Sequence, residues 1–409
     1  MPANHYRLPR SSADGGFSCW WWWRKLSKRN GPSLPPLQHS PFSLSSSRRC
    51  PFLVHLQIRV QIQEQLLNGC RSRLHPKHKK IPPGGGWCST LSSCSARRRT
   101  KLGSSTYMEH EVEFLGILSH DPLQNPDFFN WNKVKIRYCD GSSFSSHPDN
   151  EFGSGTKIFF RGQLIWDTVM DELLSIGMSK AREALLTGCS AGGLATLIHC
   201  DDFRSLLPKD ANVKCLADAG FFLNEKDIAG NRTIESFYHD VAHLQGVAKS
   251  LNHDCITRSE PRKCFFLKFI GKIKTPIFLV QPAYDFWQIA NILVPASSDP
   301  GGSWPRCKLN ILKCDSSQLE VLHGYRNSLL KTLNEFQQNP EMGVFINSCF
   351  VHCQTWAAET WHSPTSPRIN NKTVAESVGD WYFKRAAAKQ IDCPYPCNPT
   401  CYNRDLTLG

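Results

Sequence analysis

An apolar run, Ala184 to Thr187, stops at Gly188-Cys189-Ser190-Ala191-Gly192 and gives way to a stretch from Ala191 to His199 that can continue as a helix. A strand that passes straight into a helix is one half of a βαβ unit, which builds a parallel sheet. The same alternation recurs from about residue 84 onward. Val134 to Cys139, Val213 to Ala217, Pro276 to Gln281 and Gly343 to Asn347 read as further strands. Leu164, Ile165, Val169, Leu173 and Ile176 recur at helical spacing, which puts one apolar face on a helix. The pattern predicts an α/β chain with a mostly parallel sheet flanked by helices, and no internal repeat is present.

Charge and cysteine narrow the setting. The net charge of +13 would point to a nucleic-acid or membrane partner if it were spread over the chain. Residues 1–100 instead hold 17 of the 48 Lys and Arg and only Asp14 and Glu64 among the acids, so residues 101–409 are left at −2. No nucleic-acid partner is expected. No run of about 18 or more apolar residues appears, so no segment is long enough to cross a bilayer as a helix, and no membrane partner is expected. Fifteen of the 18 cysteines fall from Cys88 onward. That density predicts structural disulfides and an oxidising compartment. Zinc is the alternative, but paired CxxC knuckles at finger spacing are missing. Asn231-Arg232-Thr233 and Asn371-Lys372-Thr373 fit the glycosylation acceptor pattern of exported proteins.

The first 80 residues look unlike the rest. They hold a Trp20 to Trp23 run, a Ser/Pro-rich stretch from Pro32 to Ser47, and basic clusters at Arg48-Arg49 and Lys77 to Lys80. Little here can build a packed layer, so 1–80 reads as an atypical, disordered segment and 81–409 as a single catalytic domain. A secretory signal needs about 7–15 uninterrupted apolar residues and a small-residue cleavage site. Phe17 to Trp23 is too short, and Phe52 to Val60 is broken by His55, Gln57 and Arg59.

The chemistry centres on Ser190. Gly188 to Gly192 fits G-x-S-x-G, in which the serine occupies a strained turn and small neighbours prevent collision with the adjoining strand. The helix that follows points its first N–H groups, with their partial positive charge, toward a developing oxyanion. The bland alternative is a Gly-rich turn without catalysis. A serine hydroxyl needs a base, and in α/β-hydrolase-like chains a carboxylate and then a histidine follow the serine in sequence. Pro276 to Gln281 leads to Asp285, and Gly343 to Asn347 leads to His352, each just beyond the C-terminal end of a strand, where functional groups gather in open parallel sheets. Asp218 and Asp380 are rival acids, and His239, His243, His323 and His362 rival bases, with Asp218 alternatively lining the pocket. Gly84-Gly85-Gly86-Trp87-Cys88 is an early Gly-rich loop able to bring backbone N–H groups close to a substrate oxygen, or else a linker. With the amide of Ala191, such a loop makes a complete oxyanion hole. No metal or organic cofactor is required by this chemistry.

Gly84 to Cys88, Phe128-Phe129-Asn130-Trp131-Asn132 through Tyr138-Cys139-Asp140-Gly141, Gly188 to Ala195, Ala283 to Gln288, His352-Cys353-Gln354 and Cys393-Pro394-Tyr395-Pro396-Cys397 together resemble plant pectin acetylesterases. That family is similar in its core to the animal carboxylesterase Notum. The resemblance, from about residue 84 to the end, implies a secreted cell-wall serine esterase that removes acetyl groups from pectin. It also implies Ser190, Asp285 and His352 at the triad positions and Gly85, Gly86 and Ala191 at the oxyanion hole. A carbohydrate-binding homologue without catalysis and a Notum-like lipid deacylase are the alternatives. The chain departs from the family at its start: Pro83 stands where an acid usually precedes the glycines, and residues 1–80 do not match. An odd cysteine count from Cys88 fits either a lost disulfide partner or a reduced Cys189.

Overall fold

Seven strands, β1 (Phe52–Arg59), β2 (Asn132–Arg137), β3 (Glu183–Cys189), β4 (Asn212–Asp218), β5 (Ile277–Val280), β6 (Gly343–Ile346) and β7 (Lys389–Ile391), form one sheet in the order β2-β1-β3-β4-β5-β6-β7. Every pairing is parallel. The structure is a computed structural model that describes residues 52–59, 86–137, 139–147, 158–251, 253–265 and 270–406. The chain runs outward from β1 to β2 in one direction and from β3 to β7 in the other. Between β1 and β3 the strand order therefore reverses, and a crevice opens beyond the C-terminal ends of the strands at such a point.

The central strands are apolar on both faces, as a sheet covered by helices on each side requires. Ala184, Leu186, Val213, Cys215, Ala217, Ile277, Leu279, Val344 and Ile346 join one core, while the alternate residues Leu185, Leu216, Phe278, Val280 and Phe345 join a second. On the first face lies α3 (Ala191–Ser205), through Leu194, Ala195 and Leu197. Helix Val374–Tyr382 covers the second through Val374, Ala375, Val378, Trp381 and Tyr382. Thr373 and Glu376 close its start in a capping box. Its end is closed by Lys214 of β4, whose Nζ donates to the carbonyls of Trp381 and Tyr382 at 2.9 and 3.0 Å. Burial brings the Lys214 ammonium down to about 8.

The expected strands are present with ends moved by a residue or two, and the helix expected over Ala191 to His199 runs on to Ser205. The apolar stripe of α2 (Gly162–Ser175) is rotated from the expected one: Leu164 is exposed, and Ile165, Trp166, Met170 and Leu173 are buried. The reason is Trp166, which stacks on His199 of α3 at 4.2 Å and donates its Nε1 proton to Asp202 at 2.6 Å. Ile176 lies beyond the helix and is exposed.

The larger correction concerns residues 1–80. Phe52–Arg59 is a strand inside the sheet, hydrogen-bonded to β2 on one side and β3 on the other. The interruptions His55, Gln57 and Arg59 that disqualify an export signal alternate with Val54, Leu56 and Ile58, which is the period of a strand. The other expectations for residues 1–51 and 60–80, including the Trp20 to Trp23 run, fall outside the described residues. At the opposite edge, three-residue β7 is too short to leave a sequence signal.

Seven disulfides join described residues: Cys88–Cys94, Cys189–Cys353, Cys200–Cys215, Cys255–Cys264, Cys307–Cys314, Cys349–Cys401 and Cys393–Cys397. Cys189 is therefore cross-linked rather than reduced. Among the described residues no helix is long and apolar enough to cross a membrane.

Candidate active site

Ser190 stands between β3 and α3 with φ 59° and ψ −124°, a conformation that costs a non-glycine residue free energy. The turn projects its side chain from the C-terminal end of the sheet beside the strand-order reversal. Its backbone N–H donates to the carbonyl of Asp218, at the end of the neighbouring strand, at 2.8 Å. The tight turn also demands small residues behind it. A Cβ at Gly193 would lie 2.7 Å from the Asp218 carbonyl oxygen, and one at Gly220 only 2.4 Å from the Gly193 carbonyl carbon. These two glycines let α3 press directly onto the turn after β4.

Two other strand ends bring groups to Ser190. His352, beyond β6, places Nε2 2.8 Å from Ser190 Oγ. Asp285, beyond β5, lies behind the ring, with Oδ1 and Oδ2 at 2.9 and 2.8 Å from His352 Nδ1. An ionised carboxylate only accepts, so Nδ1 carries the imidazole proton and Nε2 offers its lone pair to the serine hydroxyl. Asp285 also caps the helical turn after it, accepting from Trp287 N and Gln288 N at 2.9 and 3.1 Å through Oδ1. Oδ1 thus serves both the cap and the imidazole, whereas Oδ2 faces the imidazole alone. Exposure falls along the chain of contacts, from 10% for the His352 side chain to 1% for Asp285. Phe286 and Trp287, from the same turn, lie against the imidazole at 5.7 and 6.1 Å between ring centres.

The early Gly-rich loop is pinned from several sides. Arg97, at the end of α1 (Leu91–Arg97), donates from Nη2 to the Gly86 carbonyl at 2.8 Å. Trp87 Nε1 donates to Ser143 Oγ at 2.8 Å, and Gln245 Nε2 donates to the Cys88 carbonyl at 2.7 Å. So many anchors contradict a linker at Gly86 to Cys88. The Trp87 ring packs against Phe222, Tyr238 and Trp287 with centres 4.8, 5.2 and 5.6 Å apart. Ala191 begins α3, where an N–H has no carbonyl a turn earlier to bond. Gly85 lies outside the described residues, as does Gly84.

The rivals lie elsewhere. Asp380 is held by Lys372 and Arg385, which keep its carboxyl below the usual range against the cost of burial. His239 and His243 are exposed on α4 (Thr233–Leu244), His323 bonds to the Tyr284 hydroxyl, and His362 bonds to Thr373. Asp218 is the instructive case. It is wholly buried, and its Oδ2 accepts from Gln354 N, Thr355 N and Thr355 Oγ1 at 2.6, 2.8 and 2.8 Å. Those donors lie just past His352, so Asp218 holds the histidine's loop rather than the imidazole itself. Burial pushes its carboxyl up to about 6 in spite of these bonds. Strand order could place Asp218 near the site, but its partners, more than 130 residues away, left no local signal.

Comparison with known proteins places the chain in a family. The chain is 64% identical over 325 residues to pectin acetylesterase 5 of Arabidopsis thaliana, a match that spans 79% of this chain and 76% of that protein. It is 61% identical over 319 residues to pectin acetylesterase 4 of the same plant, covering 78% of each. The palmitoleoyl-protein carboxylesterase Notum of mouse is 30% identical over 352 residues, 78% of this chain and 64% of that protein. Among solved structures, the Wnt deacylase Notum from Drosophila shares the fold, with a TM-score of 0.65 over 88% of this chain and 92% of that one, at 22% identity. The family model described as pectinacetylesterase matches residues 83–402. With that match over most of its length, the chain belongs to the pectinacetylesterase family.

Proposed function

We propose that this protein hydrolyses acetyl esters on cell-wall pectin and releases acetate, with Ser190 as nucleophile, His352 as base and Asp285 as the acid that orients it. The observation that carries the reading is the 2.8 Å contact between His352 Nε2 and Ser190 Oγ, with Asp285 behind the ring, in a chain of this family. His352 takes the hydroxyl proton as Oγ attacks the acetyl carbonyl carbon, and Asp285 stabilises the imidazolium. The tetrahedral oxyanion is held by the N–H groups of Ala191, Gly86 and Gly85. Collapse of this intermediate breaks the bond to the sugar oxygen, which takes the proton from His352 and leaves as a free hydroxyl. Water then attacks the acetyl-serine with His352 again as base, and acetate leaves.

Trp87, Phe222 and Tyr238 are almost wholly buried, and Trp287, which packs on Trp87 and Phe222, also lies against the His352 ring. The family relation to pectin acetylesterases favours an acidic plant polysaccharide as the partner. Dense disulfides favour an extracellular, cell-wall location. Asn231 and Asn371 are exposed and accessible to glycosylation.

Ser190→Ala tests the reading. Acetate release from acetylated pectin and turnover of p-nitrophenyl acetate should both fall by several orders of magnitude. Unchanged turnover would remove Ser190 from the mechanism, and faster cleavage of long-chain than acetyl esters would overturn the substrate.

A further inference from the structure

The loop that carries His352 is tied down on both sides of the imidazole. Ahead of it, Ser348 N and Oγ donate to Asp392 Oδ2 at 3.1 and 2.9 Å, Cys349 is cross-linked to Cys401, and Phe350 N donates to Asn403 Oδ1 at 2.8 Å. Behind it, Cys353 is cross-linked to Cys189, the residue before Ser190, while Gln354 and Thr355 give three hydrogen bonds to Asp218. Cys189 and Asp218 are paired neighbours at the ends of β3 and β4. The two sulfurs and a carboxylate oxygen of Asp218 lie within 4.8 Å of one another. The Asp218 carbonyl also holds Ser190 N, so one residue reaches both the serine turn and the histidine loop.

Three non-glycine residues in this knot have left-handed backbone: Ser190 at φ 59°, Ala219 at 45° and Cys353 at 68°. Each adjoins or belongs to the group formed by Cys189, Asp218 and Cys353. Backbone of this kind persists only where surrounding contacts over-determine it. Asp218 Oδ1 has no hydrogen-bond partner among the described residues. A carboxylate kept buried at such cost points to a task other than stability.

On the reading of Ser190, His352 and Asp285 given above, we infer that Asp218 and the Cys189–Cys353 disulfide are positioning residues that hold the imidazole within bonding distance of the serine hydroxyl. They act through the loop and make no bond to the reacting atoms. Small displacements at such a contact are expensive in rate.

The test compares the parent protein with Asp218→Ala, Asp218→Asn and the double variant Cys189→Ala/Cys353→Ala. Each is assayed on p-nitrophenyl acetate and by the rate of fluorophosphonate labelling at Ser190, with circular dichroism to establish folding. Asp218→Ala and the cysteine variant should lose about 100-fold in kcat and in labelling rate with KM little changed. Asp218→Asn keeps an oxygen to accept from Gln354 and Thr355, and should lose no more than about tenfold. A folded Asp218→Ala or cysteine variant with kcat within about threefold of the parent, or with a change confined to KM, overturns the inference. Should Asp218→Ala fail to fold, Thr355→Val decides: a drop of about three- to tenfold in kcat at constant KM supports the inference, and an unchanged kcat overturns it. A parent that is not labelled at Ser190 overturns the nucleophile and the clamp together, whereas a labelled parent with an equally fast Asp218→Ala overturns the clamp alone.

Discussion

Asp285 and His352 touch each other but are held in place by opposite means. The Asp285 turn is completed by its own neighbours, since the carboxylate caps a helical turn whose donors lie two and three residues further on. The His352 loop borrows its anchors from across the molecule: Cys189 and Asp218 lie well over 100 residues earlier, and Cys401 and Asn403 about 50 residues later. A local turn forms wherever its few residues are present, whereas a loop held by distant strands takes its shape only once the sheet has assembled. The difference teaches that the acid is placed by chain-local geometry and the base by the whole sheet.

Changes at these two places should separate cleanly. The largest expected effect is Asp285→Asn, which keeps an oxygen for the helical cap but no longer fixes the imidazole proton on Nδ1. Esterase kcat should fall by about four orders of magnitude while thermal stability moves little, a contrast that paired kinetics and melting curves would check. A large loss of stability instead would show that the acid turn is not self-sufficient.

Next comes Cys349→Ser/Cys401→Ser, which opens the 52-residue link ahead of His352. The loop-entropy relation gives a stability loss of about 4 kcal/mol, against about 2 for the six-residue Cys88–Cys94 link, measurable by denaturant titration of both variants. Equal losses would break the distinction between local and distant anchors.

Asp218 adds a pH signature. Its folded carboxyl, raised from 3.8 to about 6, keeps a proton that the unfolded chain has released. Its contribution to stability is therefore fully present below pH 3.8 and is lost as pH rises through about 6, by up to about 3 kcal/mol. Among titratable groups, His352 faces it, and its imidazolium form opposes the rise. Asp218→Asn should flatten the stability profile between those pH values, and an unaltered slope would contradict a charge buried at this point.

The smallest expected effect is Gly193→Ala. The new Cβ would meet backbone at Asp218 and Gly220, so α3 must shift, at a cost of about 1–3 kcal/mol. Because the same shift disturbs the serine turn and the Asp218 carbonyl, activity should fall along with the melting temperature. A destabilised variant of full activity would show that the turn tolerates movement of its helix.

The sequence was most informative where structure is local. The strand and helix on either side of Ser190, and the strands that lead to Asp285 and His352, are all written in runs of apolar residues ended by small ones. The α2 stripe lies part of a turn away from the expected one because Trp166 gains partners on α3 that no periodicity contains. Phe52–Arg59 has the alternation of a strand, but its basic and Ser/Pro-rich surroundings mask it. The family resemblance covered the core but could not reach that segment, since the family match begins at residue 83.

By itself, then, the sequence determined a parallel α/β sheet, a serine in a strained strand-to-helix turn, and an acid and a histidine on later strand ends. Those features follow from short-range sterics and hydrophobic period. Only the tertiary structure decided that Cys189 pairs with Cys353, that Asp218 grips the histidine loop rather than the imidazole, and that β1 fills the place between β2 and β3. Each depends on which strands become neighbours, and that is settled by burying both faces of the sheet at once.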